Sequence, residues 1–324
     1  MGIKNLNRYL KDNCKESIKC INISDLKGQK IAVDISIYLY KYEADNALLE
    51  NMYLMLSIFR QYQIIPIFIF DGKSPPEKKQ LLQKRKDDKE DAKKEYERLS
   101  DRIKSNDDIN EDELKDINST MDLLKKQFIY MGRGKTEKVK ELIRAYGSTY
   151  YDAPGEADEL CAMLVIKKKV WACLSEDMDL FVYGCSRVLR YFSLLNHNVV
   201  LYYTKGILEE LKMDQNEFRE ICVLSGTDYN INANGDNKSI SIYQAIKYFH
   251  KYKNNKNNNQ TFYEGINNSN YVLDYELLIK INEMFNILNK YNLDLFKKIK
   301  IINGPINMSS VKEIMKEDDF IFLG

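Results

Sequence analysis

Short apolar runs alternate with amphipathic stretches over most of the chain, and two of these runs end in an aspartate. Residues 30–34 (KIAVD) and 64–71 (IIPIFIFD) are apolar and rich in β-branched side chains, which predicts buried strands ending at Asp34 and Asp71. Between them, large apolar residues recur at helical spacing over residues 46–62. A strand, a helix and a second strand in this order form a β-α-β unit and predict a parallel sheet.

The same alternation continues downstream. STYY (148–151) predicts a third strand, and residues 152–169 predict a helix that has Pro154 in its first turn, followed by several acids. VWACL (170–174) predicts a further buried strand, directly before SEDMD. Residues 198–213 then predict a strand and a helix, and residues 214–230 predict a helix and a loop. The pattern indicates an α/β fold with a mostly parallel sheet flanked by helices.

Composition divides the chain further. Residues 73–145 are dense in Lys and Glu, which fits either solvated, salt-bridged helices or an interaction surface. Residues 251–270 are rich in Asn and predict a flexible loop or linker, while residues 271–324 return to helical periodicity. We therefore expect one domain over 1–250, interrupted at 73–145, then a linker and a C-terminal helical extension.

The overall composition excludes some classes of protein. A length of 324 residues with 44% hydrophobic side chains supports one large domain or two smaller ones. No apolar run reaches the about 18 residues of a membrane span, and the polar N-terminus has no signal-peptide pattern. The six cysteines form no CxxC pair, which favours free thiols in a reducing compartment. We expect an intracellular protein that is neither secreted nor a membrane protein.

Acidic residues collect at one predicted place in the fold, the carboxyl ends of the strands and the segments that follow them. The set consists of Asp34, Asp71, Glu156, Asp158, Asp177, Asp179 and Asp228. Ligands bind at this edge in open α/β sheets. Any one of these acids fits equally well as a cap, a turn residue or a favourable charge at a helix start. As a group they would repel, by about 4 kcal/mol per pair at 4 Å and an effective dielectric constant of about 20.

Such repulsion predicts bound cations or raised pKa values. The donors are all carboxylate oxygens, and neither His197 nor His250 lies among them, which favours Mg²⁺ or Mn²⁺ over Zn²⁺. Seven acids exceed what one six-coordinate ion needs, so two ions are expected, an arrangement suited to displacement at phosphorus. The neighbouring Glu176 would face the other way in an extended segment. No phosphate-binding glycine motif is present, so a nucleotide cofactor is not indicated.

Six motifs together resemble the flap endonucleases, the structure-specific 5′ nucleases of the XPG-like superfamily. They are MGIKNL (1–6), VDISIYLY (33–40), IFDGKSPPEKKQLLQKR (69–85), DAPGEADELCA (152–162), SEDMDLFVYG (175–184) and LSGTDYN (224–230). The resemblance implies a PIN-like domain with a helical arch at 73–145 and a C-terminal helical DNA-binding region. It also implies two-metal cleavage of DNA near 5′ flaps or junctions, with 5′–3′ exonuclease activity, in replication, repair or recombination. The seven acids match the family's metal-binding positions.

The resemblance assigns roles to further residues. Lys78 and Arg85 match two basic residues that reach the scissile phosphate, and their spacing of seven places them on one helix face. The DNA-binding candidates are Gly2, Tyr40, Arg190 and Gly235. Tyr40 would stack on an unpaired base, with ordinary helix packing as its alternative. Gly2 would lie near the active site, where a side chain would obstruct the nucleic acid.

The chain departs from the family pattern in two places. Residues 218–250 correspond to a degenerate helix–two-turn–helix element, in which Gly235 and Asn237 stand for two glycines and Asp236 would meet phosphate unfavourably. We expect a remodelled duplex site there, and whether it holds K⁺ stays open. The tail VKEIMKEDDFIFLG (311–324) has acids before aromatics, as in sliding-clamp-binding tails, but lacks a clear binding motif. The expected partner is branched or 5′-flapped DNA, bound by a monomer in the nucleus or at a cytoplasmic site of DNA replication.

Three alternatives compete with this interpretation. The first is a related exonuclease or junction-resolving nuclease, which the sequence does not separate from a flap endonuclease. The second is a non-catalytic DNA-binding scaffold, against which the complete set of seven acids argues. The third is a glycosyltransferase with a DxD motif, based on Asp177 and Asp179 alone, which leaves the remaining acids unexplained.

Overall fold

A seven-stranded mixed sheet forms the centre of the molecule. The computed structural model describes residues 2–105, 111–230, 240–254, 261–267, 274–289, 299–316, 320 and 322. The strands are β1 (Ile18–Asn22), β2 (Lys30–Asp34), β3 (Ile65–Phe70), β4 (Thr149–Asp152), β5 (Ala172–Leu174), β6 (Arg187–Ser193) and β7 (Asn198–Tyr203). Their spatial order is β1-β7-β6-β5-β2-β3-β4, and the five strands from β6 to β4 run parallel. Strands β7 and β1 add antiparallel pairs at one side.

Strand β2 is the point from which the sheet grows in both directions. It pairs with β3 on one side, with Asp34 opposite Ile69, and with β5 on the other, with Val33 opposite Leu174. The chain thus winds from β2 to β3 and β4 before it returns to β5. Ligands of open α/β sheets bind at such a switch point, beyond the carboxyl ends of the strands.

Fourteen α-helices within the described part of the chain surround the sheet. In the first half they are α1 (Leu6–Asn13), α2 (Ser36–Ala44), α3 (Leu48–Gln61), α4 (Lys79–Lys104), α5 (Glu111–Gln127) and α6 (Arg133–Ala145). In the second half they are α7 (Ala157–Ile166), α8 (Asp179–Tyr183), α9 (Thr204–Leu211), α10 (Gln215–Leu224), α11 (Ile242–Asn254), α12 (Phe262–Asn267), α13 (Tyr275–Phe285) and α14 (Met308–Lys316). None of the described helices is long and apolar enough to cross a membrane.

Each face of the sheet carries its own core. Strand β2 divides its side chains between the faces, because Ala32 packs into one cluster and Ile31 and Val33 into the other. Helices α7, α8 and α10 cover the first face, and α3 and α6 cover the second. The cysteines are free thiols, as predicted, and five of the six are buried.

The Lys/Glu-rich insertion contains two unlike parts. Helices α4 and α5 pack mainly on each other, with Tyr96 and Phe128 rings 5.4 Å apart, and α4 has only three buried residues in 26. Its exposed surface carries ion pairs one turn apart, such as Lys93 with Glu97, as a solvated helix does. Helix α6 is different, because Leu142 and Ile143 are fully buried in the body. The part of the range 73–145 that does not contribute to the main core therefore ends before α6.

Helix α7 begins later than the sequence predicted. Its N-cap is Glu156, with extended backbone angles, so Pro154 lies outside the first turn. The preceding loop is held against the end of β3, where the Gly72 amide donates to the Gly155 carbonyl at 2.7 Å. This contact ties the bend at residues 154–155 to the end of β3, and the helix begins at Ala157.

The C-terminal segment closes over the second face. The Arg60 guanidinium donates to the carbonyls of Tyr146 and of Gly304, the latter at 2.9 Å, and Val311 and Met315 of α14 are fully buried. The rings of Phe320 and Phe322 lie 5.4 and 5.6 Å from the ring of Tyr53 on α3. Helix α14 and the rings of Phe320 and Phe322 are therefore packed on the body.

Gly147 provides a test of this closure. Its φ is +70°, and a Cβ there would lie 2.6 Å from the carbonyl of Gly304. We expect Gly147→Ala to lower the free energy of unfolding by about 3 kcal/mol, since strain and overpacking add. The control Gly28→Ala has φ +76° but no atom within 4 Å, so it should cost only about 1 kcal/mol of backbone strain. Urea denaturation measures both, and equal losses would contradict the close packing.

Candidate active site

The parallel strands bring the predicted acids to one edge of the sheet. Asp34 is the last residue of β2, and Asp71 directly follows β3. Glu156 caps α7 after β4, and Asp158 lies in the first turn of that helix. The loop after β5 carries Asp177, Asp179 begins α8, and Asp228 follows α10. The topology thus explains why residues distant in sequence face the same space.

Asp34 is a buried carboxyl tied to its neighbours. It is 8% exposed and accepts a hydrogen bond of 2.8 Å from the Ser175 hydroxyl. Burial, and then the charges of Asp71 and Asp177, raise the pKa of Asp34 to about 7. Asp71 in turn accepts the Ala157 amide at 2.8 Å and the Ser36 hydroxyl. These bonds fix the first carboxylates relative to β2 and α7.

Asp179 stands out because nothing satisfies it. Its side chain is fully buried, and neither carboxylate oxygen has a hydrogen-bond partner among the described residues. Burial, followed by the charges of Asp177 and Asp228, raises the pKa of Asp179 well above its ordinary value. An unpaired buried charge of this kind is costly. The group therefore requires either a proton or a bound cation.

Gly2 lies directly against this carboxylate. A Cβ at Gly2 would contact Asp179 Oδ1 and would lie 2.8 Å from Asp177 Oδ1, and φ is +73°. Glycine is therefore needed for space and for backbone conformation. Gly2 thus lies beside the acid cluster, and its role toward the nucleic acid stays a prediction.

Lys78 lies inside the acid cluster. It is 6% exposed, and its Nζ lies 2.7 Å from Glu156 Oε2. Burial lowers the pKa of Lys78, but the charges of Asp158 and Glu156 outweigh it and raise the pKa above its ordinary value. The lysine is therefore a cation that stays charged in this site. It is the last residue of a short 3-10 helix leading into α4, and not part of α4 itself.

Tyr229 was not among the predicted residues, yet it holds this pair. Its hydroxyl donates to Glu156 Oε2 at 2.8 Å, and its ring lies 4.9 Å below the Lys78 Nζ. The only sequence signal for a role in the site was its position directly after Asp228. An aromatic side chain at such a position is more simply interpreted as part of the hydrophobic core. The contact appears only when the loop after α10 is folded onto α7.

Arg85 reaches the same edge from α4. Its Nη2 lies 3.0 Å from Asp228 Oδ2, and its side chain is 42% exposed. The predicted basic pair is therefore brought together with the acids, with Lys78 enclosed and Arg85 open to solvent. Seven acids against these two cations leave an excess of five negative charges when all are ionised.

The carboxylates are not arranged as a finished coordination sphere. In the described ranges, no group of three acidic, histidine or cysteine side chains is placed to hold a metal ion as it stands. Mutual repulsion keeps like charges apart when no cation lies between them. The oxygen donors and the unsatisfied Asp179 fit a hard divalent cation.

Tyr40 is placed for contact and not for packing. Its side chain is 44% exposed, whereas Tyr38 and Tyr42 of the same helix are buried. The Lys89 Nζ lies 5.1 Å from its ring, and burial and the Asp71 charge raise the pKa of Tyr40. The ring is thus available for contact, and stacking on an unpaired base stays a prediction.

Arg190 is buried and bonded within the fold, and its predicted DNA contact stays a prediction. Arg190 is 5% exposed, and its guanidinium donates to the Glu176 carbonyl at 2.9 Å and to Asn7 Oδ1 at 2.6 Å. The Glu176 carboxylate lies 3.4 Å from Arg190 Nε and accepts the Tyr191 amide, so it faces away from the acid cluster, as predicted. Arg190 thus fixes the loop that carries Asp177. Arg190 faces inward because of its position in strand β6, and the motif pattern of the sequence did not reveal this orientation.

The contacts described above do not include the predicted duplex-binding loop. Gly235, Asp236 and Asn237 lie outside the described residues, between α10 and α11. Their roles and the K⁺ question therefore remain predictions.

Comparison with known proteins agrees with this geometry. The family model of the XPG N-terminal domain matches residues 1–92, and that of the XPG I-region matches residues 147–228. Flap endonuclease 1 of Trypanosoma brucei brucei is 30% identical over 302 residues, which cover 86% of this chain and 72% of the relative. The chain belongs to the XPG-like flap endonuclease family. It is accordingly a nuclease that hydrolyses DNA phosphodiester bonds, and the predicted resemblance is confirmed.

Other relatives differ in how much of their length is matched. A probable RAD2-like endonuclease of Invertebrate iridescent virus 6 is 29% identical over 366 residues, which cover 96% of this chain and 85% of the viral protein. Flap endonuclease 1 of Zea mays is 32% identical over 248 residues, covering 71% of this chain and 62% of the plant protein. The chain thus spans about three fifths of the plant relative's length.

Solved structures share the architecture at lower identity. The catalytic core of Rad2 in complex with DNA substrate has a TM-score of 0.64 at 19% identity, covering 98% of this chain and 94% of that one. The Holliday junction-resolving enzyme GEN1 in complex with product DNA and Mg²⁺ has a TM-score of 0.63 at 17% identity, covering 98% and 73%. The similarity is one of fold, and it confirms the predicted mostly parallel α/β nuclease architecture.

Arg190 allows a test of how the site is held. We expect Arg190→Gln to lower the free energy of unfolding by about 3 kcal/mol, because Glu176 loses its buried partner, and to lower kcat through displacement of Asp177. The exposed Arg8→Gln on α1, whose side chain is 81% exposed, is the matched control and should change neither quantity. Thermal unfolding and steady-state cleavage measure both. A raised KM with unchanged stability would instead indicate a DNA contact.

Proposed function

We propose that this chain is a divalent-metal-dependent, structure-specific 5′ nuclease that cleaves DNA at 5′ flaps or junctions and also removes nucleotides from 5′ ends. The observation that carries the proposal is Asp179, a fully buried carboxylate without a hydrogen-bond partner among the described residues, surrounded by six other acids at the switch point of the sheet. A site this negative can approach a phosphodiester only when cations compensate the charge. The described arch helices and the basic pair lie beside it.

Seven residues would hold the metal ions, namely Asp34, Asp71, Glu156, Asp158, Asp177, Asp179 and Asp228. Their number exceeds the six ligands of one Mg²⁺, which supports two ions, Mg²⁺ or Mn²⁺. When bound, such ions supply an activated water and compensate charge on the phosphate. Gly2 leaves the space beside Asp177 and Asp179 free for this purpose.

The basic pair would act on the phosphate itself. Lys78 stays protonated because Asp158 and Glu156 surround it, so it remains a hydrogen-bond donor when a phosphate enters. Arg85 is partly exposed and bonds only to Asp228 on this edge, so its guanidinium can turn to the phosphate oxygens and stabilise charge that develops there. Tyr229 keeps Glu156 and Lys78 in position through its hydroxyl and its ring.

The unpaired 5′ end would pass between the arch and the sheet edge. Tyr40 offers an exposed ring at this entrance, and Lys89 of α4 lies over that ring. Stacking of one base on such a ring contributes about 1–3 kcal/mol. The two arch helices, of 26 and 17 residues, favour a substrate with a single-stranded 5′ end over a fully paired junction.

The C-terminal tail, the monovalent ion and the location of the protein complete the proposal. We propose no clamp contact through the tail, because Phe320 and Phe322 already pack against Tyr53. A K⁺ ion at the duplex loop is not part of the proposal. We place the protein as a monomer at an intracellular site of DNA replication or repair, nuclear or cytoplasmic.

The metal assignment is tested by Asp177→Asn. We expect this variant to abolish Mg²⁺-dependent cleavage of a labelled 5′-flap duplex, while the Kd for the flap DNA stays within about tenfold of the wild type. The substitution removes the charge of a metal ligand but hardly changes the shape of the side chain. The matched control is Asp152→Asn, which alters another acid at the end of a parallel strand. Asp152 pairs with Lys140 at 2.8 Å, outside the acid set, so cleavage should persist. Retained cleavage by Asp177→Asn would contradict the assignment.

A further inference from the structure

A basic groove lies at the opposite edge of the sheet from the acids. It has a volume of about 740 Å³ and is bounded by the segments that precede β2, β5 and β6. Its position is one length of α7 away from the acid cluster, because that helix begins beside Asp158 and ends at the groove. Ten helical residues span about 15 Å.

The groove is strongly one-sided in charge. Lys30, Lys168, Lys169 and Arg187 line it, and none of its lining residues is acidic. The two lysines of the α7–β5 loop and Lys30 are exposed, and none of the four cations forms an ion pair with a described acid. Four uncompensated cations within one groove attract a polyanion.

An aromatic ring lies among these cations. The Arg187 guanidinium lies 4.9 Å above the Trp171 ring, which is partly exposed, and the Trp171 amide is anchored by the Lys30 carbonyl at 2.7 Å. A guanidinium beside an aromatic ring keeps its N–H donors, which suit bidentate contact to phosphate. Basic residues with an interleaved aromatic ring are typical of surfaces that follow a nucleic-acid backbone.

We propose that this groove is a second nucleic-acid-binding site, which holds the phosphates of a substrate arm that extends beyond the catalytic edge. The inference rests on the proposed function, since a branched DNA has arms that do not enter the active site. The groove contacts backbone phosphate without reading sequence, so it contributes affinity that depends on arm length and on salt.

A simpler explanation has to be excluded. Lys168 and Lys169 follow the end of α7, where cations stabilise a helix through its dipole. Backbone geometry provides a variant that separates the two explanations. Lys168 has φ +57°, a left-handed conformation that favours glycine, so Lys168→Gly removes the charge while relieving strain. Loss of binding in this variant cannot be attributed to misfolding if thermal unfolding shows equal or greater stability.

Lys212 provides the matched control. It ends α9 with φ +55°, is exposed, and lies outside the groove, so Lys212→Gly changes charge and backbone in the same way. Binding is measured in EDTA, by fluorescence anisotropy over a range of salt concentrations, with two hairpin-capped flap DNAs. One has arms of about 4 base pairs, roughly 14 Å, which end short of the groove, and the other has arms of about 30 base pairs, which extend well past the about 15 Å to it.

We expect Lys168→Gly to weaken binding of the long-armed DNA by about threefold to tenfold and to reduce its salt slope by about one contact. Binding of the short-armed DNA, and its cleavage with Mg²⁺, should not change. Lys212→Gly should match the wild type on both substrates. Equal behaviour of the two variants would overturn the proposal in favour of helix-end charges. Loss of binding to a polyglutamate peptide, with DNA binding intact, would overturn it in favour of an acidic protein partner.

Failure of the proposed function gives a different result. In that case the wild type cleaves neither substrate with Mg²⁺ or Mn²⁺, whatever the binding data in EDTA show. Absence of any affinity difference between long and short arms in the wild type, with cleavage intact, would overturn only the groove assignment.

Discussion

Mutual repulsion among buried carboxylates is the constraint on which the rest of this structure depends. Burial raises the pKa of Asp34 to about 7 and raises the pKa values of Asp158 and Asp179 well above the ordinary range. A carboxyl whose pKa is raised by folding stabilises the protein while protonated, below about pH 4. That contribution is lost as the pH rises toward 7 and the group ionises. Near neutral pH, cations must therefore replace the protons, and the site is built to accept them.

The surroundings of the acids hold this unfavourable arrangement in place. Lys78 supplies one permanent positive charge inside the cluster, fixed by Glu156 and by the ring of Tyr229. Arg190, buried below the loop, holds the backbone that carries Asp177. Gly2 leaves room against the oxygens of Asp179. The geometry of the acid cluster is thus a property of the folded core, and the exposed helices α4 and α5 contribute little to it beyond Arg85.

Much of this organisation could be predicted from the sequence because its signals are local. Apolar runs ending in acids located β2, β3 and β5, and the topology of a parallel sheet then implied that Asp34, Asp71 and Asp177 meet. Strand β1 carried no such signal, since it is an edge strand in which no residue is fully buried. The contacts of Arg190 and Tyr229 could not be predicted, because they join segments that are distant in sequence. The late start of α7 likewise depends on a loop contact with Gly72.

Proton release on metal binding tests the central claim most directly. Isothermal titration of the metal-free protein with Mn²⁺, in buffers of different ionisation enthalpy, counts the protons released. Because Asp34 retains its proton up to about pH 7, we predict release of at least about one proton at pH 6, less at pH 8, and less at pH 6 for Asp34→Asn. Binding heats that are independent of the buffer at pH 6 would show that the acids are already ionised, and would contradict the account.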